Sequence, residues 1–144
     1  MSWRDDTPQP VQDDLDQLVD NALTAARDLL DHQRGEMYPF AVGLCADGTS
    51  ELVSGLAGPG EHPAAVLELL YESVAAMRDA FTAVAFVAAV ESDDGDAVRA
   101  EVEHRYGGPA LAVFLPFRPR RFRGVEYGSL HASGSDRRLW PQPD

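Results

Sequence analysis

Residues 38–56, YPFAVGLCADGTSELVSGL, decide how the chain is read. Two runs rich in apolar residues, Tyr38 to Cys45 and Thr49 to Leu56, flank Asp47-Gly48. Asp-Gly between such runs makes a hairpin turn, because glycine takes a positive φ at no steric cost. In the first run Phe40, Val42 and Leu44 share one face. Ala41, Gly43 and Cys45 share the other, where small side chains let a helix approach closely. Pro39 suits an edge or the first position of a strand.

The flanking sequence extends this hairpin into an α+β domain. Upstream, Val11, Leu15, Leu18, Val19, Ala22, Ala26, Leu29 and Leu30 recur at helical spacing, which predicts a helix from Val11 to Gln33. Residues 1–10, with two prolines and little to bury, read as a flexible arm. Downstream, Gly58-Pro-Gly60 breaks the chain, and Pro63 opens a second helix with the stripe Val66, Leu67, Leu70, Val74 and Met77. Strands follow at 82–90, 97–106, 110–117 and 125–131, with a turn at Asp94-Gly95. In the second of these, Val98, Ala100, Val102 and His104 alternate with Arg99, Glu101 and Glu103, the pattern of a half-exposed strand.

The order α-β-β-α-β-β-β-β and the short turns predict two helices packed on one face of a mostly antiparallel sheet of five or six strands. Residues 11–140 form one domain and 141–144 a tail. Strands 82–90 and 110–117 are apolar on both faces, so the second face needs a cover: the arm, the tail or another subunit. This points to a homodimer. The element order loosely resembles the roadblock and profilin-like arrangement, a likeness of fold alone.

Composition excludes several function classes. The 144 residues carry 24 acidic and 12 basic side chains, net -12, and a chain this acidic repels nucleic acid and anionic membranes. Every basic residue is arginine, the usage of a GC-rich genome. Only Cys45 is available for thiol chemistry, too few for a disulfide or a cysteine-rich zinc site. The polar N-terminus is no signal peptide, and the longest apolar run falls far short of a membrane span. The expected location is cytoplasmic.

No catalytic motif stands out. His32, His62, His104 and His131 lack metal-ligand spacing, and the glycine pairs lack a phosphate loop's pattern. Neither a cofactor nor a metal is expected. One cluster departs from the acidic background: Arg118, Arg120, Arg121 and Arg123 lie within six residues. Segment 118–144 is net +3, whereas the rest of the chain is net -15. The cluster is the candidate anion- or partner-binding site, because guanidinium groups recognise phosphates and carboxylates bidentately. The competing reading is that these arginines screen the protein's own acidic helix.

Three segments, YPFAVGLCADG (38–48), EHRYGGPALAVFLPF (103–117) and VEYGSLHASGSDRRLW (125–140), resemble a set of small bacterial proteins of actinobacterial type. That set has the pattern YPFAVxLxADG, EHRxG and RxW, and the resemblance implies a bacterial cytosolic protein of one domain with no known activity. Its terminal arginines and Trp140 suit a tail clamped onto the body by stacking and burial.

Two functions compete on these residues. One is a non-enzymatic interaction domain, in one version an immunity-type protein masking a basic toxin. The alternative is a small enzyme acting on an anionic or phosphorylated substrate through His104, His131, Tyr127 and the Arg118–Arg123 cluster.

Overall fold

The computed structural model describes residues 3–32, 37–54, 62–92, 95–119 and 124–140. After a 3-10 turn at Trp3–Asp6 come α1 (Gln9–His32), β1 (Phe40–Cys45), β2 (Ser50–Val53) and α2 (Pro63–Ala76). A 3-10 turn (Arg78–Ala80) leads into β3 (Phe81–Ser92), β4 (Gly95–His104), β5 (Ala110–Pro119), β6 (Val125–Tyr127) and β7 (His131–Ser135). All pairings are antiparallel, in the order β2-β1-β3-β4-β5, with β6 and β7 both on the far edge of β5. The fold is α+β, as expected.

The Asp47-Gly48 turn forms as predicted. Gly48 has φ +88°, and Leu44 faces Ser50 across the hairpin. The Asp47 carboxylate accepts from the Thr49 hydroxyl at 2.6 Å and its N–H at 3.0 Å, which holds its pKa below the ordinary carboxylate value. Pro63 opens α2, and the His62 ring caps it by accepting the Ala64 N–H at Nδ1, 3.1 Å away. Asp94, in the other expected turn, lies outside the described residues; Gly95 after it has φ +119° and pairs with Ser92.

The helices do not share a face. Packed against α1 are Phe40, Val42 and Leu44 of β1, Ala83, Ala85 and Val87 of β3, Val98, Ala100 and Val102 of β4, and Leu111, Val113, Leu115 and Phe117 of β5. The alternate residues Ala41, Val84 and Phe86 pack with Val66, Leu70 and Val74 of α2 and with Leu139 and Trp140. The one-face expectation is therefore corrected. β2 and β3 flank β1 and run parallel to each other, so α2 is a crossover connection, and it takes the face opposite α1. The second apolar face is covered within the chain, by α2 and the C-terminal tail.

Two boundaries also move. α1 begins at Gln9, two residues before the expected start, and the Gln12 side chain donates to the Thr7 carbonyl at 2.7 Å, so part of the expected arm is packed. The expected last strand divides into β6 and β7 where Pro116, which lacks an N–H to offer that edge, faces Gly128. The Gly128 N–H bonds the Pro116 carbonyl at 2.8 Å, and a Cβ on Gly128 would stand 3.1 Å from the Pro116 Cβ.

Candidate functional site

The arginine cluster is only partly described. Arg118, one residue before the end of β5, stands opposite Glu126 and donates to it at 2.9 Å, in an exposed cross-strand ion pair. Arg120, Arg121 and Arg123 lie outside the described residues. Gly124 after them has φ +66° and stands near Asp31 of α1.

The residues of the enzymatic alternative are not brought together. His104 is buried on the α1 face, at the end of β4. Its Nδ1 accepts the Tyr106 N–H at 3.0 Å, so Nε2 carries the proton and donates to Asp14 at 2.9 Å. Nε2 thereby ties β4 to α1, and Nδ1 fixes the turn that follows β4. His131 is exposed, and its ring stacks on Phe114, whose side chain takes the opposite face of the sheet. The Tyr127 hydroxyl donates to Asp31 at 3.2 Å, and burial, then the Asp31 charge, push its pKa up to about 12. It is a donor that resists losing its proton, the opposite of a base.

Sequence alternation placed Glu101 and Glu103 on an exposed face; both are buried. The tail crosses over them. Glu103 accepts the backbone N–H groups of Arg138, Leu139 and Trp140 at 2.6–3.1 Å. Arg137 donates to the carbonyls of Gly108 and His104, each at 2.6 Å, and to that of Trp140. Glu101 accepts from Arg138 at 3.1 Å and from the Tyr71 hydroxyl at 2.6 Å, while the Arg138 guanidinium lies 4.0 Å over the Tyr71 ring. Burial, reinforced by that bond to Glu101, raises Tyr71 well above the ordinary tyrosine pKa. The clamp inferred from the terminal Arg and Trp residues is thus formed, on two carboxylates that local alternation had assigned to solvent.

An open site remains on the α1 side, between α1 and the sheet edge. It is a groove of about 370 Å³. Leu15, Val19 and Leu23 of α1 form one wall, Val102, Leu111 and Val113 the floor, and Leu130, His131 and Ala132 the other lip. Asp16, Asp20, Thr24 and Arg27 line it from α1 as exposed side chains. Its size and its apolar floor with a few polar groups suit ligand binding. Asp16 and Asp20, one helical turn apart, give its mouth negative charge, and Arg27 at the far end lies 5.3 Å over the Tyr127 ring. The sequence offered no local signal for this groove, because its walls are separated by about a hundred residues and meet only through the fold. Among the described residues no three His, Cys, Asp or Glu side chains gather as a metal site would require, and no described helix is long and apolar enough to cross a membrane. Comparison with protein-family models, curated proteins and solved structures finds no match for this chain.

Proposed function

We propose that this protein is a non-enzymatic binding domain that holds a basic partner in the groove between α1 and β7. The observation that carries the reading is the groove itself: an apolar floor beneath two exposed aspartates, on a chain of net charge -12. Such a surface attracts a cation with an apolar body and speeds its encounter over long range. An immunity-type protein masking a basic toxin surface is one form of this reading. The sequence resemblance and the arginine-only basic composition support a bacterial cytosolic setting for this reading. Self-association loses its main argument, since α2 and the tail already cover the second face.

The enzymatic alternative is weaker on geometry. It needs His104, whose ring nitrogens both serve the fold, to act together with His131, whose ring lies on the other face.

The test is titration of the protein with a cationic peptide of arginine and leucine. Binding should weaken with added salt and be lost in Ala132→Trp, which fills the groove, while the melting temperature stays unchanged. Binding that survives both the groove-filling change and high salt overturns the reading.

A further inference from the structure

We infer a second ligand site, independent of the groove, in which Arg99 and Asp136 hold a small zwitterion by its carboxylate and its amine. That pair of groups is the head of a free amino acid.

The site lies on the face of the sheet opposite α1. Arg99 and Glu101 alternate on β4 with the residues that α1 covers, and Ser135 ends β7 opposite Ala110 of β5. The tail then lays Arg138 over Glu101. Arg99, Gly134, Ser135, Asp136 and Arg138 line an open recess of about 400 Å³. Its lining is mostly polar, whereas the groove has an apolar floor, so the two sites suit different ligands.

The hydrogen bonds around Glu101 single out Arg99. One Glu101 oxygen accepts from Tyr71 at 2.6 Å and the other from Arg138 at 3.1 Å. Arg99 stands at ion-pair distance from Glu101, 3.7 Å, too far for a hydrogen bond. Its Nε is buried without a hydrogen-bond partner, and its side chain is about one-third exposed. A guanidinium held this way offers the fold little, and its paired terminal nitrogens suit a carboxylate.

Asp136 supplies the opposite sign. It is exposed, lines the same recess and forms no ion pair with Arg99 or Arg138. Opposite charges that share a recess without touching leave room for a ligand carrying both. Arg138 is offset by Glu101, so Arg99 and Asp136 remain, and together they are neutral. A phosphate brings its negative charge beside Asp136 and Glu101, on a chain of net charge -12, and is the poorer ligand. A simple carboxylate answers Arg99 but is repelled by Asp136. A zwitterion answers both, and the Ser135 hydroxyl is a further donor to its carboxylate.

Glycine, acetate, methylamine and inorganic phosphate separate the outcomes, each followed by the amide NMR shifts of Gly134 to Asp136. Glycine should bind in the millimolar range, as suits so small a ligand, and at least about tenfold more tightly than acetate or methylamine. Arg99→Gln should abolish the response to glycine with little change in melting temperature, and the arginine–leucine peptide should still bind the groove. Asp136→Asn should bring glycine down to the level of acetate. Acetate held as tightly as glycine in the wild type overturns recognition of the amine. Phosphate held most tightly assigns the recess to oxyanions and overturns the inference. No response to glycine, or a response that survives both variants, overturns the site itself and leaves the groove untouched.

Discussion

The carboxylate of Glu103 accepts the backbone N–H of Trp140 at 2.6 Å, joining the buried end of β4 to a tail 37 residues further along the chain. The same carboxylate takes the N–H groups of Leu139 and Arg138, so one buried charge satisfies three donors. Hydrogen bonds to an ionised acceptor are about twice as strong as neutral ones. Glu103→Gln replaces one oxygen by an amide donor that faces these N–H groups. The expected loss is about 2–4 kcal/mol of unfolding free energy, read by urea denaturation. In a Trp3→Phe background the emission of Trp140 should shift to the red as its ring leaves the second core. Unchanged stability and unchanged emission would show that the tail is held without the Glu103 charge, by its burial and by the bonds of Arg137 and Arg138.

Gly43 and Phe81 form a second such pair. A Cβ on Gly43 would lie 2.3 Å from Cε1 of the Phe81 ring, closer than any real contact. Gly43→Ala should therefore cost about 1–3 kcal/mol, the usual penalty for overpacking a core. Shrinking the neighbour in Gly43→Ala/Phe81→Leu should return part of that loss, and a double-mutant cycle measures the coupling. Additive effects would mean that the ring moves aside at no cost.

How much of this was legible in the sequence depends on how local each signal is. Asp47-Gly48 and Pro63 act through their own φ angles, so the hairpin and the start of α2 could be read directly. The two-sided apolar character of β3 and β5 correctly required two covered faces. It did not say which helix takes which face, because Val84 and Ala85 are equally apolar and handedness of the crossover makes the choice. Glu101 and Glu103 were misread because alternation describes a strand and not what a distant tail lays over it. Ser133 to Ser135 fall beyond the strand expected at 125–131, since serine and glycine are poor strand formers; pairing with Ala110 to Ala112 overrides that preference. The candidate groove, built from α1, β4, β5 and β7, has no short-range signature at all.

The arginine at the described end of the basic cluster makes a small contribution to stability. Arg118 and Glu126 meet at 2.9 Å but stand in solvent. Arg118→Ala should change the unfolding free energy by less than about 1 kcal/mol. A larger loss in thermal denaturation would mean that the β5–β6 pairing depends on this charge.

His104 should behave as a structural residue. Its removal in His104→Ala leaves the Tyr106 N–H without its acceptor and opens space beneath α1. The expected cost is about 2–4 kcal/mol, from an unsatisfied donor together with a cavity. Asp14→Asn keeps an acceptor for Nε2 on a side chain about one-third exposed, and should cost under about 1 kcal/mol. Equal losses in the two variants would locate the effect in the charge of Asp14 and not in the packed ring.

Alkaline unfolding provides a clean test of the two tyrosine contacts. Tyr71 is raised by burial and by its bond to Glu101, and Tyr127 is pushed up to about 12 by burial and the Asp31 charge. A tyrosine whose folded pKa exceeds its unfolded value of about 10 favours the fold while it is protonated. That stability is fully present below about pH 10 and is lost as the pH rises through the folded values. The chain contains no lysine, and arginine stays charged across this interval, so tyrosine dominates the slope. Unfolding free energy measured from pH 9 to 12 should therefore fall steeply in the wild type, and less steeply in Tyr71→Phe. Tyr127→Phe should flatten it by a smaller amount, because solvent screens its more exposed hydroxyl. An unchanged slope in Tyr71→Phe would mean that its bond to Glu101 does not persist in solution, and Glu101 would then be held by Arg138 and Arg99.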